Sequence, residues 1–165
     1  MAKQIFRNHF QNAYVTHDMD RAIDLVSERY GDFGFEARVV DMMVKTRDGD
    51  QHMKLRAATG WHGGAQLELI EPISGFVDHY RAYLPADPKD FTPRFHHVAV
   101  RRDDLDAMRK EMDELGLPLV QEGAAPGFVF TYLDARQSLG HYFEYIWASP
   151  EGWQFIGWPK DRPVL

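Results

Sequence analysis

The 165-residue sequence predicts an α+β fold made of two similar modules, each a strand, a helix and three further strands. The first observation is a repeat: Asp18 follows Gln11 by seven positions, and Asp104 follows His97 by the same interval. In both segments the Asp is followed by Met or Leu and then by a second Asp. The second observation is a carboxylate within an apolar strand late in each half, in Leu67-Glu68-Leu69-Ile70 and Phe143-Glu144-Tyr145-Ile146. Because there are only two copies, the repeat favours a paired-module domain and not a solenoid.

The elements of the first half follow from apolar periodicity and from turn residues. Asp18 is a suitable helix N-cap, and Gly31 is a suitable C-cap for the same helix. Prolines and glycines separate the remaining apolar runs. The predicted order is a strand over 9–16, a helix between the two caps, strands over 35–45 and about 52–59, a hairpin turn at 60–64, and the Glu68 strand, which ends near Pro72.

The second half repeats this order after a proline-rich joint. We predict a short helix and linker over 74–84, a strand over 95–101, a helix over about 104–115, and strands near 117–122, 127–133 and 141–147. The whole chain is predicted to be one domain, 1–165. Its parts are module 1 (about 6–75), a linker (about 76–93), module 2 (about 94–148) and an irregular C-terminal tail (149–165).

Composition excludes several classes of function. A net charge of −6 argues against a nucleic-acid surface, because binding to phosphates requires a basic face. Without cysteine, the chain has no disulfide, no thiolate nucleophile and no cysteine-ligated metal. No apolar run has the length of a signal peptide or a membrane span, so we expect a cytoplasmic protein that does not bind membranes.

Gln11, Glu68, His97 and Glu144 are the polar residues at matched places in the two halves. If the modules pack side by side, these four residues face one cavity. One imidazole nitrogen and three oxygens form a ligand set suited to Zn²⁺, Ni²⁺, Co²⁺, Mn²⁺ or Fe²⁺. Strand alternation puts Glu68 on the same face as Gln66, among apolar neighbours, where a buried carboxylate needs a partner such as a cation. The sequence therefore predicts a metal site.

Each of these residues also has an ordinary interpretation. Glu68 alone could face solvent on a half-exposed strand, and His97 alone is more often a hydrogen-bonded histidine than a ligand. His96 faces away from His97 on a regular strand, so we expect a structural role. His9 shares the strand face of Gln11 and is the reserve ligand.

Three residues near the C-terminus have simpler interpretations than a role in binding. His141 lies on the opposite strand face from Glu144, which favours a supporting or surface position. Trp153 and Trp158 are expected to pack against the body of the protein or at a dimer contact, because large aromatic side chains contribute much apolar area to both.

The chain resembles the vicinal oxygen chelate superfamily, which includes glyoxalase I, methylmalonyl-CoA epimerase, extradiol dioxygenases and bleomycin-resistance proteins. The resemblance covers about residues 6–147, and it depends on the order of four motifs. These are Gln11 with Asp18-Met19-Asp20, the segment Leu67-Glu68-Leu69-Ile70-Glu71-Pro72, the segment His96-His97-Val98-Ala99-Val100 with Asp104-Leu105-Asp106, and Phe143-Glu144-Tyr145-Ile146.

The resemblance implies two βαβββ modules whose strands form a cup-shaped mixed sheet around one divalent metal. It places the ligands at Gln11, Glu68, His97 and Glu144, a set similar to that of some glyoxalase I enzymes. Extradiol dioxygenases of the superfamily use two histidines and one glutamate for iron. Since Gln11 stands where the first of those histidines is expected, the resemblance argues against dioxygenase activity.

The activity implied by the resemblance is that of a metal-dependent lyase, isomerase or epimerase. The metal would stabilise an enolate of a small thioester or hemithioacetal, and Glu144 (first choice) or Glu68 (second choice) would move the proton. No organic cofactor is implied, and a homodimer is expected. The alternatives are a ligand-sequestering protein of the resistance type, which does not catalyse a reaction, and an extradiol dioxygenase that would require Fe²⁺ and His9 or another histidine.

Overall fold

The structure is a computed structural model, and it describes residues 4–159. It contains eight strands and five helices in these residues, with both parallel and antiparallel strand pairs. The predicted α+β class and mixed sheet are therefore confirmed. Among residues 4–159, no helix combines the length and the apolar character needed to cross a membrane.

The strands and helices follow one another along the chain in the predicted order, with additional short helices. They are β1 (His9–Val15), α1 (Met19–Tyr30), β2 (Glu36–Thr46), β3 (Gly49–His62), β4 (Ala65–Gly75), α2 (Asp78–Arg81), β5 (Arg94–Arg102), α3 (Leu105–Leu115), β6 (Leu119–Ala125), β7 (Phe128–Leu133), α4 (Arg136–Leu139), β8 (Tyr142–Ala148) and α5 (Pro150–Phe155).

The chain packs into two compact units, and β1, β2, β3 and β5 contribute residues to both. The first unit contains residues 11–43 and 50–97, with strand order β1-β4-β3-β2. β1 and β4 run parallel, whereas β3 and β4 form an antiparallel hairpin across the turn predicted at 60–64. Helix α1 covers this sheet through Met19 and Ala22, which pack against Ala58 and Leu69. This core fixes the position of β4.

The second unit contains residues 4–10, 44–49 and 98–159 of the described chain, with strand order β2-β6-β7-β8-β5. Strands β6, β7 and β8 are antiparallel neighbours. Their apolar face packs under helix α3, where Val100, Met108, Phe143 and Tyr145 are fully buried. The module bounds expected from the repeat divide the chain at other positions and stay a prediction.

Both helix starts expected at Asp18 and Asp104 are confirmed. The Asp18 carboxylate accepts from the backbone N–H of Arg21, and Asp104 accepts from that of Ala107, which is the usual geometry of an N-cap. Gly116 then ends α3 with φ 68°, in the left-handed region that glycine adopts without strain.

An Asp104→Ala variant should lose about 1 kcal/mol of the free energy of unfolding, because one backbone donor at the start of α3 loses its acceptor. Urea denaturation monitored by circular dichroism would measure the loss. Asp104→Asn is the matched control, since its amide oxygen can still cap the helix, and it should lose much less. Equal losses in the two variants would contradict the capping role.

Two expectations were wrong, whereas the short helix predicted within 74–84 is present as α2, Asp78–Arg81. β4 continues past Pro72 to Gly75. The tail, predicted to be irregular, contains α5, because Pro150 occupies the first turn and the Ser149 hydroxyl accepts from the N–H of Gly152. These local start signals were present in the sequence but lay outside the repeat.

Candidate metal centre

Gln11 is the first predicted ligand, and it is buried on β1 of the first unit. The parallel register of β1 and β4 sets Gln11 beside Gln66. The Gln11 Nε2 donates to Gln66 Oε1 at 2.7 Å, and both residues are 4% exposed. Since this bond uses the amide nitrogen of Gln11, its Oε1 is the atom suited to bind a cation.

Glu68 and His97 come together within the first unit. His97 Nε2 lies 3.6 Å from Glu68 Oε2, and the two side chains are 0% and 14% exposed. Glu68 follows Gln66 by two positions on β4, so strand alternation directs both side chains to the same face. The ordinary interpretation of Glu68 as a solvent-facing residue is therefore wrong. A buried imidazole nitrogen beside a carboxylate oxygen is a donor pair suited to a divalent cation.

Burial keeps His97 neutral at ordinary pH. Loss of hydration lowers the pKa of His97 from 6.5 to about 4, although the negative charge of Glu68 acts in the opposite direction. A histidine must be neutral to bind a metal, because the coordinating nitrogen needs its lone pair. His97 is therefore in the protonation state that metal binding requires.

His96 is fully buried next to His97. Its Nδ1 lies 2.8 Å from the Nδ1 of His97, and its Nε2 lies 3.2 Å from the carbonyl oxygen of His79. The His96 ring also stacks on Tyr80, with 4.8 Å between the ring centroids. The predicted structural role of His96 thus includes a direct contact with a candidate ligand.

Glu144 is the candidate ligand from the second unit. It lies on β8, directly opposite Tyr132 of β7, and only 4% of it is exposed. Its chain neighbours Phe143 and Tyr145 are fully buried. Burial raises the pKa of the Glu144 carboxyl well above 4.5, and a hydrogen bond with the Tyr132 side chain acts in the opposite direction. A cation beside such a carboxyl would favour its ionised form.

The remaining residues singled out from the sequence occupy more ordinary positions. His9 is half-buried at the start of β1, and its role as reserve ligand stays a prediction. The Nδ1 of His141 lies 2.6 Å from the carbonyl oxygen of Tyr142. Trp153 and Trp158 pack against the second unit, as expected, with the Arg101 guanidinium 4.5 Å and 4.4 Å from their ring centroids.

Gln66, Tyr132 and the His79 carbonyl were not identified as functional residues from the sequence. Strand alternation puts Gln66 on the face of Glu68, so a weak signal for it was present. Tyr132 becomes a neighbour of Glu144 only through the register of β7 and β8, and the His79 carbonyl reaches His96 across 17 positions. Contacts of these kinds depend on tertiary packing, which the repeat does not describe.

The sequence model of the Glyoxalase/Bleomycin resistance protein/Dioxygenase superfamily matches residues 10–132. Comparison with curated proteins gives no significant match. Among solved structures, methylmalonyl-CoA epimerase from Mycobacterium tuberculosis is 18% identical, with a TM-score of 0.58 over 92% of this chain and 94% of that chain. A hypothetical protein from Bacillus halodurans is 15% identical, with a TM-score of 0.54 over 86% and 94%.

A methylmalonyl-CoA epimerase in complex with methylmalonyl-CoA and NH4⁺ is also similar, at 19% identity and a TM-score of 0.52 over 86% of this chain and 94% of that chain. At these identities the likeness to all three structures shows a shared fold.

Proposed function

Since this chain belongs to the Glyoxalase/Bleomycin resistance protein/Dioxygenase superfamily, we propose that it is a divalent-metal-dependent isomerase, epimerase or lyase. The substrate would be a small thioester or hemithioacetal. The observation that carries the proposal is the pair of Glu68 and the buried His97, with 3.6 Å between a carboxylate oxygen and a neutral imidazole nitrogen.

The proposed ligands are Gln11, Glu68, His97 and Glu144. Two carboxylates would balance the charge of a divalent cation, and the neutral donors Gln11 and His97 would complete a set suited to Zn²⁺, Ni²⁺, Co²⁺, Mn²⁺ or Fe²⁺. The proposal explains why the chain places one buried and one largely buried carboxyl group on apolar strands, since a bound cation offsets their lost hydration.

Bound there, the metal would supply Lewis acidity toward a carbonyl oxygen of the substrate. Glu144 is the proposed proton carrier, because a buried carboxyl group beside the substrate can accept and return a proton. Glu68 is the second choice, because it is less buried. Apolar neighbours such as Phe143 would exclude water while the proton is held.

Within this reaction class we favour an epimerase acting on a coenzyme A thioester. The support is the fold shared with methylmalonyl-CoA epimerases, one of them in complex with methylmalonyl-CoA. Removal of the proton next to the thioester carbonyl from one face of the substrate, followed by delivery of a proton to the opposite face, would invert that carbon. A ligand-sequestering protein is the alternative, and dioxygenase activity is disfavoured because Gln11 bonds to Gln66 where a histidine ligand would be required.

The deciding experiment combines metal content with proton exchange. Untagged protein should contain about one equivalent of divalent metal by elemental mass spectrometry, and Glu144→Ala should lose it. Metal-loaded protein in D₂O should exchange the proton next to the carbonyl of methylmalonyl-CoA, as followed by NMR. A protein that takes up metal but exchanges no proton of thioesters or hemithioacetals would favour sequestration. A protein that takes up no metal would refute the proposed mechanism.

Metal binding should release about one proton and should tighten as pH rises. The reason is that burial keeps the Glu144 carboxyl protonated above its ordinary pKa, whereas a ligand carboxylate must be ionised. His97 contributes no proton above about pH 5, because it is already neutral. Calorimetric titration with Zn²⁺ in two buffers of different ionisation enthalpy would count the protons. An equal proton count for the wild type and for Glu144→Gln at every pH would contradict this assignment.

The proposal includes a small-molecule substrate and a homodimer in the cytoplasm, without a nucleic-acid or membrane partner. A net charge of −6 supports the exclusion of nucleic acid. Analytical ultracentrifugation of the metal-loaded protein would measure the oligomeric state.

A further inference from the structure

A row of hydrogen-bonding groups in the first unit leads from the backbone to the proposed metal ligands. It starts at the His79 carbonyl oxygen, which lies 3.2 Å from His96 Nε2. The opposite ring nitrogen of His96, Nδ1, lies 2.8 Å from His97 Nδ1. The row ends where His97 Nε2 lies 3.6 Å from Glu68 Oε2. Both histidine rings are fully buried, so their hydrogen bonds are made within the protein.

The chemistry of the groups determines the direction of this row. A carbonyl oxygen only accepts, so the nitrogen of His96 that faces it must carry the hydrogen. A neutral imidazole has one N–H and one lone pair, and full burial disfavours the cation. The Nδ1 of His96 is therefore an acceptor, and His97 Nδ1 must donate to it. His97 is then left with a lone pair on Nε2, the nitrogen that faces Glu68.

We propose that His96 is a positioning residue that holds His97 in the Nδ1–H tautomer and so presents its Nε2 lone pair to a divalent cation. This inference rests on the proposed function, because it concerns the same metal site. The opposite tautomer would put a hydrogen on Nε2, which could donate to Glu68 and close the position to a cation. Selection of one tautomer by a second hydrogen bond is a general means of preparing a histidine ligand.

Two variants of nearly equal size separate this role from packing. His96→Asn places an amide oxygen near the position of the imidazole Nδ1, so it can still accept from His97. His96→Leu has a similar shape but no acceptor. We expect the dissociation constant for Co²⁺, measured by its visible absorption in competition with a chelator, to rise about 10- to 100-fold in the Leu variant. The Asn variant should stay within about threefold of the wild type.

A second measurement concerns the tautomer itself and does not require metal. Long-range ¹H–¹⁵N correlation spectra of the metal-free wild type should show His97 protonated on Nδ1 and His96 protonated on Nε2. His96→Leu should shift His97 toward the Nε2–H form, and His96→Asn should not. A purely structural role for His96 would leave this pattern unchanged. The wild-type spectrum tests the inference even if a variant fails to fold.

The outcomes distinguish this inference from the proposed function. His97 protonated on Nε2 in the wild type would overturn the inference whether or not metal binds. Equal Co²⁺ affinities in the wild type and the Leu variant, or equal losses in the Asn and Leu variants, would also overturn it. If the predicted tautomers are observed but Co²⁺ does not bind the wild type, the proposed function fails while the directed hydrogen bonds are supported.

Discussion

A Glu144→Gln variant is expected to lose proton exchange by about 10²- to 10⁴-fold, the usual contribution of a positioned general base. Glutamine keeps the size of the side chain on β8 but can neither carry the proton nor bring the negative charge. The measurement is the rate of deuterium incorporation next to the carbonyl of methylmalonyl-CoA, at a Co²⁺ concentration that saturates each protein. Glu151→Gln is the control, because Glu151 is an exposed carboxylate in the same unit.

The same variant should fold at least as stably as the wild type when both are free of metal. The folded Glu144 carboxyl has a raised pKa, so between pH 4.5 and that pKa the folded state holds a proton that the unfolded chain releases. The free energy of unfolding of the wild type therefore falls as pH rises through this window. The Gln variant lacks this pH-dependent loss. In both proteins His97 makes a second contribution, because burial lowers its pKa to about 4. The free energy of unfolding therefore falls as pH drops below 6.5, where the unfolded chain takes up a proton on this residue.

The free energy of unfolding of both proteins would be measured at pH 5 and at pH 8. The change between the two pH values, compared between the wild type and the Gln variant, gives the contribution of Glu144. A Gln variant that exchanges protons within about threefold of the wild-type rate would reassign the transfer to another group. Glu68→Gln would then be the next variant to measure.

An Arg102→Met variant is expected to lose about 3–5 kcal/mol of the free energy of unfolding, because it leaves Glu111 without its buried partner. Arg102 is 4% exposed, and its guanidinium bonds both carboxylate oxygens of Glu111. It also donates to the carbonyl oxygens of Ile5 and Arg7. One side chain thus joins the start of the described chain to helix α3 in the second unit. Urea denaturation would measure the loss.

Arg136→Met is the matched control for Arg102. Arg136 also pairs with a carboxylate, Asp134, but half of its side chain is exposed. Its loss should be below about 1 kcal/mol, since solvent screens exposed ion pairs. The double variant Arg102→Met, Glu111→Leu should recover part of the stability, because it removes the uncompensated charge. Similar losses for Arg102→Met and Arg136→Met would contradict the burial argument.

The elements could be predicted largely from the sequence because they depend on local signals and on the repeat. Asp18 and Asp104, for example, are recognisable helix caps. Family membership and the α+β fold followed from the same motifs. The ligand assignment itself stays a proposal.

The supporting contacts could not be predicted, because they join residues far apart in the chain. Gln66 meets Gln11 only in the parallel register of β1 and β4, and the His79 carbonyl reaches His96 from the short helix α2. The expectation for His96 was incomplete for a related reason. Alternation along β5 predicts the strand face from which each histidine side chain projects. It does not predict the orientation of the rings, and the Nδ1 atoms of His96 and His97 turn toward each other.

The parallel pairing of β1 with β4 has a consequence for how the protein folds. Gln11 meets Gln66 across 55 positions, so this contact forms only after a long loop has closed. A slip of one residue between the two strands would turn Gln66 and Glu68 toward the opposite face. Contacts of such high sequence separation form slowly compared with helices and hairpins. The chain would thus bring Gln11 and Gln66 together late in folding, after the local helices and hairpins have formed.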